Sequence, residues 1–106
     1  MTVRLSAVLI ASLVLPGAAQ ASSDAAWAAL HAKVGQRCRA ASGLTAPRSA
    51  APVGFDDTLG KMVTLVTGTE RLARGRSVRT AKLCVYDQRS GRTWVSEAKG
   101  WQVDAR

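Results

Sequence analysis

The chain has 106 residues, which is enough for one small domain and excludes a multidomain architecture. It carries 15 lysines and arginines against 7 aspartates and glutamates, a net charge of +8. This charge favours anionic partners such as phosphate-bearing lipids, lipopolysaccharide, nucleic acid, acidic polysaccharide or an acidic protein, although positive charge also serves simply to keep a protein soluble.

Residues 1–21 are predicted to be a cleavable secretory signal peptide. Residues 5–15 form an uncharged apolar run, and small residues then lead to a cleavage point between Ala21 and Ser22. The run is too short for a retained membrane anchor, because a spanning helix needs about 20 apolar residues. A lipoprotein would carry a cysteine where Ser22 stands. We therefore expect a single mature domain, residues 22–106, that is periplasmic or secreted.

The mature domain keeps a large positive charge and contains both cysteines. It has 14 basic and 7 acidic side chains, because Arg4 leaves with the signal peptide, and its net charge is +7. In an oxidising compartment, Cys38 and Cys84 are expected to form a disulfide. The chain-entropy model gives such a long closed loop roughly 4 kcal/mol of stabilisation, a large fraction of the stability of a domain this small.

The mature chain is predicted to begin with a helix. Ser23 can cap the first free backbone N–H groups, and Asp24 complements the positive helix end. Apolar side chains then recur at spacings of three and four and form one stripe, namely Trp27, Leu30, Val34, Cys38 and Ala41. Gly35 permits a bend, and Gly43 is the expected end of the helix. Cys38 then lies on the buried face of the last turns.

Three strands are predicted after the helix, at residues 61–67, 78–86 and 92–98, because these segments alternate and are rich in β-branched residues. Residues 44–60 are predicted to be a long connection with one short edge strand at 53–55. The expected fold is therefore α+β, with the N-terminal helix packed on a small antiparallel sheet of three to four strands and one disulfide.

Alternation along the central strand assigns its side chains to two faces. Cys84 shares a face with Lys82, and this face must be the helix-facing one if the disulfide forms. Leu83 and Val85 then point to the other side of the sheet. They then need cover from the connection at residues 44–60, unless a fourth strand or a bulge changes the arrangement.

Basic side chains concentrate in the loop after the first predicted strand and in the first half of the second. Five of them fall within twelve residues and are the candidate anion-binding residues: Arg71, Arg74, Arg76, Arg79 and Lys82. Guanidinium groups bind phosphate and carboxylate bidentately, and a glycine-containing loop lets several of them reach one polyanion. The alternative is a solvated loop. Arg89 and Arg92 lie at the next turn, expected at the opposite end of the sheet, which argues against a continuous nucleic-acid groove.

The sequence contains no catalytic or metal-binding constellation, so we expect a protein that is not an enzyme and holds no cofactor. His31 is the only histidine, and no carboxylate lies at a telling spacing from it. A zinc site from His31, Cys38 and Cys84 has unsuitable spacing, and a disulfide would remove both thiolates. Asp56 and Asp57 are adjacent and suit turn hydrogen bonds better than glycosidase chemistry.

Three tryptophans are many for so small a domain. Trp27 lies on the apolar helix stripe, and Trp94 has small neighbours on its strand face, so both are predicted to pack between helix and sheet. Trp101 lies in the short tail. Sugar stacking or insertion at a membrane interface is the alternative role for Trp101.

The C-terminal quarter also carries a resemblance. Residues 83–87 (LCVYD), 89–92 (RSGR) and 94–98 (WVSEA) resemble the closing hairpin of small uncharacterised exported proteins of Gram-negative bacteria, and residues 38–44 (CRAASGL) are a second match. The resemblance implies a periplasmic, disulfide-bonded domain. It transfers no functional residue.

Two functional hypotheses follow from these features. The first is a non-catalytic exported domain that binds an anionic envelope component, such as anionic lipid or lipopolysaccharide, through the five basic residues. The second is an inhibitor or accessory subunit of an exported enzyme, in which the hairpin around Arg89 and Arg92 contacts an acidic protein partner. A small enzyme is the third class and has the least support.

Overall fold

A computed structural model describes residues 23–101 of the chain. One helix, α1 (Asp24–Ser42), is followed by an antiparallel sheet and packs against one of its faces. The strands are β1 (Thr45–Ser49), β2 (Val53–Gly54), β3 (Lys61–Arg71), β4 (Ser77–Asp87) and β5 (Thr93–Glu97). The predicted signal peptide and its cleavage point lie outside the described residues.

Helix α1 begins and ends at the predicted residues. The Ser23 hydroxyl accepts a hydrogen bond from the Ala26 backbone N–H at 3.1 Å, which satisfies a donor that has no partner within the helix. Gly43 closes the helix with a φ of 69°, a left-handed conformation that glycine adopts without steric cost. The capping residues therefore set the bounds of the helix, as their sequence predicts.

The sheet has the strand order β1-β3-β4-β5, and β2 also pairs with β3. All the pairings are antiparallel. Strand β1 lies beside the second half of β3 and β2 beside its first half, so together they form one interrupted edge of the sheet. The predicted α+β class is confirmed, with a helix on a small antiparallel sheet and one disulfide.

One predicted strand boundary is wrong. The loop expected from Gly68 onward is part of β3, which continues to Arg71. A Cβ on Gly68 would lie 2.9 Å from the Cβ of Leu44 and 3.0 Å from the backbone oxygen of Thr45. Gly68 is therefore a point where the chain entering β1 crosses close to the sheet, and not the start of a turn.

The core lies between α1 and one face of the sheet. Its buried side chains are Val34, Cys38, Leu44, Met62, Val66, Cys84 and Tyr86. The Cys38–Cys84 disulfide joins the helix to the central strand β4 across a Cα–Cα distance of 5.8 Å, and both residues are fully buried. The covalent link therefore passes through the centre of the core.

Gly35 lies where the helix approaches the edge of the sheet. A Cβ there would lie 2.9 Å from the Arg39 Nη1 and 2.9 Å from the Ser49 Oγ. These two groups are joined by a hydrogen bond of 2.7 Å that Arg39 donates. The helix is continuous through Gly35, so the glycine permits close contact with β1.

The opposite face of the sheet, which we call the open face, is not covered by α1 or by the connection from residue 44 to residue 60. The predicted cover of Leu83 and Val85 by this connection is wrong, and the alternative, an additional strand with a bulge, is the arrangement found. The connection extends the sheet sideways because its backbone pairs with the free edge of β3: Ala50 N–H donates to the Leu65 oxygen and Phe55 N–H to the Lys61 oxygen.

Two tryptophans also differ from their predicted positions. Trp94 lies on the open face and is 44% exposed, because Val95 is the residue that pairs with Cys84 on the helix side. Trp27 is 42% exposed, since the first turns of α1 make little contact with the sheet. Neither indole packs between helix and sheet.

Candidate anion-binding site

The hairpin between β3 and β4 projects beyond its neighbouring strands. Strand β1 pairs with β3 only as far as Thr69, and β5 pairs with β4 only as far as Lys82. Residues 71–79, which we call the hairpin tip, are all exposed. The tip is ordered by the ladder of β3 and β4 and by a 2.8 Å hydrogen bond that the Leu72 N–H donates to the Arg76 oxygen.

The turn of the hairpin tip requires two left-handed residues in succession. Arg74 has φ 62° and ψ 34°, and Gly75 has a φ of 71°. Glycine adopts this conformation freely, whereas a residue with a Cβ loses about 1–2 kcal/mol in it. The chain therefore holds an arginine at a position where glycine or asparagine would be more stable.

Four arginines surround this turn: Arg71, Arg74, Arg76 and Arg79. Among residues 23–101, the ion pairs are Lys61–Asp87, Lys82–Glu70 and Lys99–Glu97, and none of them involves an arginine. Glu70, the acid nearest to the tip in sequence, is used by Lys82 at 3.8 Å. The positive charge of the tip is thus not neutralised by a carboxylate in the described part of the chain.

Lys82 differs from the four arginines with which the sequence groups it. Its ammonium donates a 2.9 Å hydrogen bond to the Ser42 oxygen at the C-terminus of α1, and its side chain is only 18% exposed. A cation at that end also complements the helix dipole. Lys82 therefore anchors the helix to the sheet. A signal for this was present in the sequence, since Lys82 shares a strand face with the disulfide.

A shallow cavity lies against the hairpin tip. Its volume is about 310 Å³, and it is lined by Arg71, Leu72, Gly75, Arg76 and Ser77. Two guanidinium groups, a hydroxyl and a glycine that lets a ligand approach the backbone make this lining suitable for an oxyanion such as a phosphate group.

Further cations extend the positive region onto the open face. Thr69 pairs with Arg79 and Arg71 pairs with Ser77, so the two arginines are diagonal neighbours on the same face. Arg48 pairs with Thr67 and shares this face from the adjacent edge strand. One end of the open face is therefore cationic.

The turn between β4 and β5 carries the second basic group, at the opposite end of the sheet. Asp87 organises it: Ser90 Oγ donates to Asp87 Oδ2 at 2.6 Å, and Arg89 N–H donates to Oδ1 at 3.4 Å. Gly91 completes the turn with a φ of 74°. Arg92 places its guanidinium carbon 5.3 Å from the Trp94 ring centroid, a cation–π distance.

The hydrogen bond from Ser90 is the main reason why the pKa of Asp87 is lowered from 3.8 to about 2. Lys61 and the Arg89 N–H act in the same direction, while desolvation opposes them. Asp87 is thus a fixed carboxylate that holds the turn and pairs with Lys61 at 3.2 Å. The turn is preorganised by its own side chains.

The other candidate residues from the sequence, His31 and Asp56, make local structural contacts. His31 packs edge-on against Trp27 at a centroid distance of 6.1 Å. Asp56 accepts a 3.0 Å hydrogen bond from the Leu59 N–H and so caps a turn. Within residues 23–101, no three His, Cys, Asp or Glu side chains are grouped closely enough to hold a metal ion.

The only α-helix among the described residues, α1, is not apolar enough over a sufficient length to cross a membrane. No protein-family model, curated protein or solved structure matches the chain, so its function is inferred from the geometry of its own residues.

Proposed function

We propose that this protein is a non-catalytic, exported basic domain that binds an anionic component of the cell envelope through the hairpin tip. The observation that carries the proposal is the set of four exposed arginines at a projecting, ordered turn. No carboxylate among the described residues pairs with them. Lys82, the fifth candidate, supports the site indirectly, because its ion pair with Glu70 offsets the negative charge of the acid nearest to the arginines in sequence.

Phosphate is the chemical group that best fits the hairpin tip. Guanidinium binds phosphate through two parallel hydrogen bonds, and Arg71 and Arg76 both line the shallow cavity beside the turn. The ladder of β3 and β4 restrains the backbone before binding, so less conformational entropy is lost on association. Lipopolysaccharide and anionic phospholipids both present such groups at high density.

Salt-dependent binding of the mature domain to lipopolysaccharide and polyphosphate tests this proposal. Replacing Arg74 and Arg76 by glutamine should lower affinity at least tenfold and reduce the slope of log K against log salt by about 2, since each lost phosphate contact removes roughly one unit. Lys33→Gln with Arg37→Gln is the matched control, because it removes the same charge from exposed positions of α1. An equal loss in both variants, or no binding to either ligand at low salt, would refute the proposal.

Export is part of the same proposal. The natural product should begin at Ser22 and contain no free thiol, because both cysteines are expected to be oxidised in the periplasm. Intact mass of protein purified from the envelope fraction, with and without thiol alkylation, measures both properties. A product that still begins at Met1 or takes up two alkyl groups would contradict export to an oxidising compartment.

One observation favours the second candidate, an inhibitor or accessory subunit of an exported enzyme. The turn that carries Arg89 and Arg92 is held by Asp87 and Ser90 and is therefore rigid before binding. Capture of one acidic protein by the wild-type domain should then be lost on Arg89→Gln with Arg92→Gln and retained on Arg74→Gln with Arg76→Gln. The reverse pattern would favour the hairpin tip.

A further inference from the structure

The open face of the sheet carries a continuous apolar surface. Its members are Val53, Phe55, Val63, Leu65, Leu83, Val85 and Trp94. The register places Val53, Val63, Val85 and Trp94 in one row across four strands, with Leu65 beside Leu83 in the next row. Four strands span about 14 Å, so this row is long enough to form a binding surface.

Three side chains of this apolar surface are exposed to solvent. Val53 is 64% exposed, Phe55 53% and Trp94 44%, and no other described element packs over them. Contiguous apolar surface of this kind on a small domain marks a binding site more often than chance exposure does. The surface is therefore a candidate binding site.

Cations border the apolar surface at both ends. Arg48, Arg71 and Arg79 share the open face on the side of the hairpin tip. At the other end, Lys61 Nζ and the Arg92 guanidinium carbon lie 5.9 Å and 5.3 Å from the Trp94 ring centroid. The acid that the register places on this face is Asp87, and it is paired with Lys61. Asp56 and Asp57 follow Phe55 in the adjoining turn, where Asp56 accepts a hydrogen bond from the Leu59 N–H.

The distribution of charge on the open face indicates which kind of partner fits it. A second copy stacked by a two-fold axis with the hairpin tips together would bring cationic ends against each other, because Arg48, Arg71 and Arg79 lie on the same end of the face. A flat apolar centre between two cationic borders is complementary to an anionic lipid leaflet, in which phosphates lie above acyl chains. An indole with arginine and lysine beside it is typical of side chains at such an interface.

We propose that the open face binds the surface of an anionic lipid membrane, with Val53, Phe55 and Trp94 entering the headgroup–acyl boundary and the bordering cations contacting phosphates. This inference rests on the proposed function and identifies the anionic envelope component as a lipid surface. The hairpin tip and the open face then act together, because Arg71 and Arg79 belong to both.

Depth-dependent quenching of single tryptophans tests the proposal. One variant retains Trp94 (Trp27→Phe with Trp101→Phe), and its matched control retains Trp27 (Trp94→Phe with Trp101→Phe), whose exposure is nearly the same. With vesicles of phosphatidylglycerol and brominated phosphatidylcholine, Trp94 emission should shift to shorter wavelength and lose at least half its intensity. Trp27 emission should change little. Phosphatidylcholine vesicles alone should produce no change in either variant.

A second variant separates this inference from the proposed function. Trp94→Ser should lower vesicle affinity at least tenfold and leave polyphosphate binding unchanged, whereas Trp27→Ser should alter neither. Vesicle binding with unquenched Trp94 would overturn the open-face proposal and leave binding by the hairpin tip intact. Absence of binding to vesicles, lipopolysaccharide and polyphosphate would overturn both.

Two further outcomes would also overturn the lipid assignment. If the Trp94 emission shifts without lipid and sedimentation shows a dimer, the open face binds a second copy. If vesicles leave Trp94 unquenched while a purified acidic protein shifts its emission, the occupant is a protein.

Discussion

The two faces of the sheet have similar alternating apolar patterns but different surroundings. On the helix-covered face, Val66 and Cys84 are fully buried, and the disulfide joins that face to α1. On the open face, Val63 and Val85 are only half-buried, and Trp94 is exposed. Alternation along the strands therefore does not distinguish the apolar face that packs in the core from the apolar face that stays partly exposed.

The largest effect on stability should come from the disulfide, because it is the covalent link between α1 and the helix-covered face of β4. Replacing Cys38 and Cys84 together by alanine should lower the free energy of unfolding by about 4 kcal/mol, the value expected for a closed loop with a sequence separation of 46 residues. Urea unfolding of the mature domain measures this loss. A change below about 1 kcal/mol would show that the helix is held mainly by other contacts.

A methyl group added on the helix-covered face should also be costly where the backbone is close. Gly68→Ala places its Cβ within 3.0 Å of the Thr45 oxygen, so β1 must shift, and we expect a loss of about 1–3 kcal/mol. Gly54→Ala is the matched control in another strand of the same sheet, since its Cβ would meet only the Met62 Cε at 3.8 Å. Equal melting temperatures for the two variants would contradict the close approach seen at Gly68.

Truncating one valine on each face compares the two directly. Val66→Ala removes a fully buried side chain and should cost about 2 kcal/mol in unfolding free energy, whereas Val63→Ala should cost about half as much or less. Parallel urea titrations give the difference. If Val63→Ala proved the more costly, the open face would be part of the folding core.

The sequence predicts much of the helix-covered face. Helix bounds at Ser23 and Gly43 follow from capping chemistry, and the face shared by Lys82 and Cys84 follows from alternation along one strand. These features depend on neighbouring residues in the chain. Local physical chemistry is therefore sufficient to anticipate them.

The edge of the sheet and the exposure of the tryptophans were not predictable in the same way. Strand β1 has the sequence TAPRS, in which Thr45 is the only residue that favours a strand and Pro47 disfavours one. Ala46 also has a φ of 49°, which is unusual within a strand. The strand forms because the edge of β3 supplies partners for its backbone. Trp27 has the spacing of a buried residue, yet its exposure depends on how far the sheet extends beneath α1.

The arginine cluster was evident in the sequence, but the open face was not recognised as a surface. Leu83 and Val85 indicate a second apolar face that needs cover, but alternation along the strand does not identify the covering element. Only the pairing of the connection with β3 shows that this cover is missing among the described elements. Which side of a sheet is covered depends on contacts between residues far apart in sequence.

The hairpin tip should show opposite effects on stability and binding. Arg74→Gly removes a Cβ from a left-handed position and should stabilise the fold by up to about 1 kcal/mol, once the greater freedom of glycine in the unfolded chain is counted. The same variant should bind lipopolysaccharide several-fold more weakly. Ala46→Gly is the control, because it relieves a positive φ without removing charge and should leave affinity unchanged. Tighter binding by Arg74→Gly would contradict a functional role for the arginine.

The smallest effect concerns the turn at the other end of the open face. The pKa of Asp87 in the folded protein is about 2, below its ordinary 3.8, so its stabilising effect is present above about pH 4 and is lost as the pH falls towards 2. Ser90→Ala should raise this pKa towards 3.8, since the Ser90 hydroxyl is the main cause of the shift. Carbon-detected NMR titration of the Asp87 carboxyl measures it. An unchanged pKa in Ser90→Ala would mean that Lys61 holds the carboxylate instead.

Paramagnetic relaxation of the three indole N–H signals tests the division of the sheet into a folding face and a binding face most directly. The protein would be bound to phosphatidylglycerol-containing nanodiscs that carry a spin label on the lipid chain. We expect the Trp94 signal to broaden strongly and the Trp27 signal to remain sharp. Broadening of Trp27 with a sharp Trp94 would show that the helix side, and not the open face, meets the lipid.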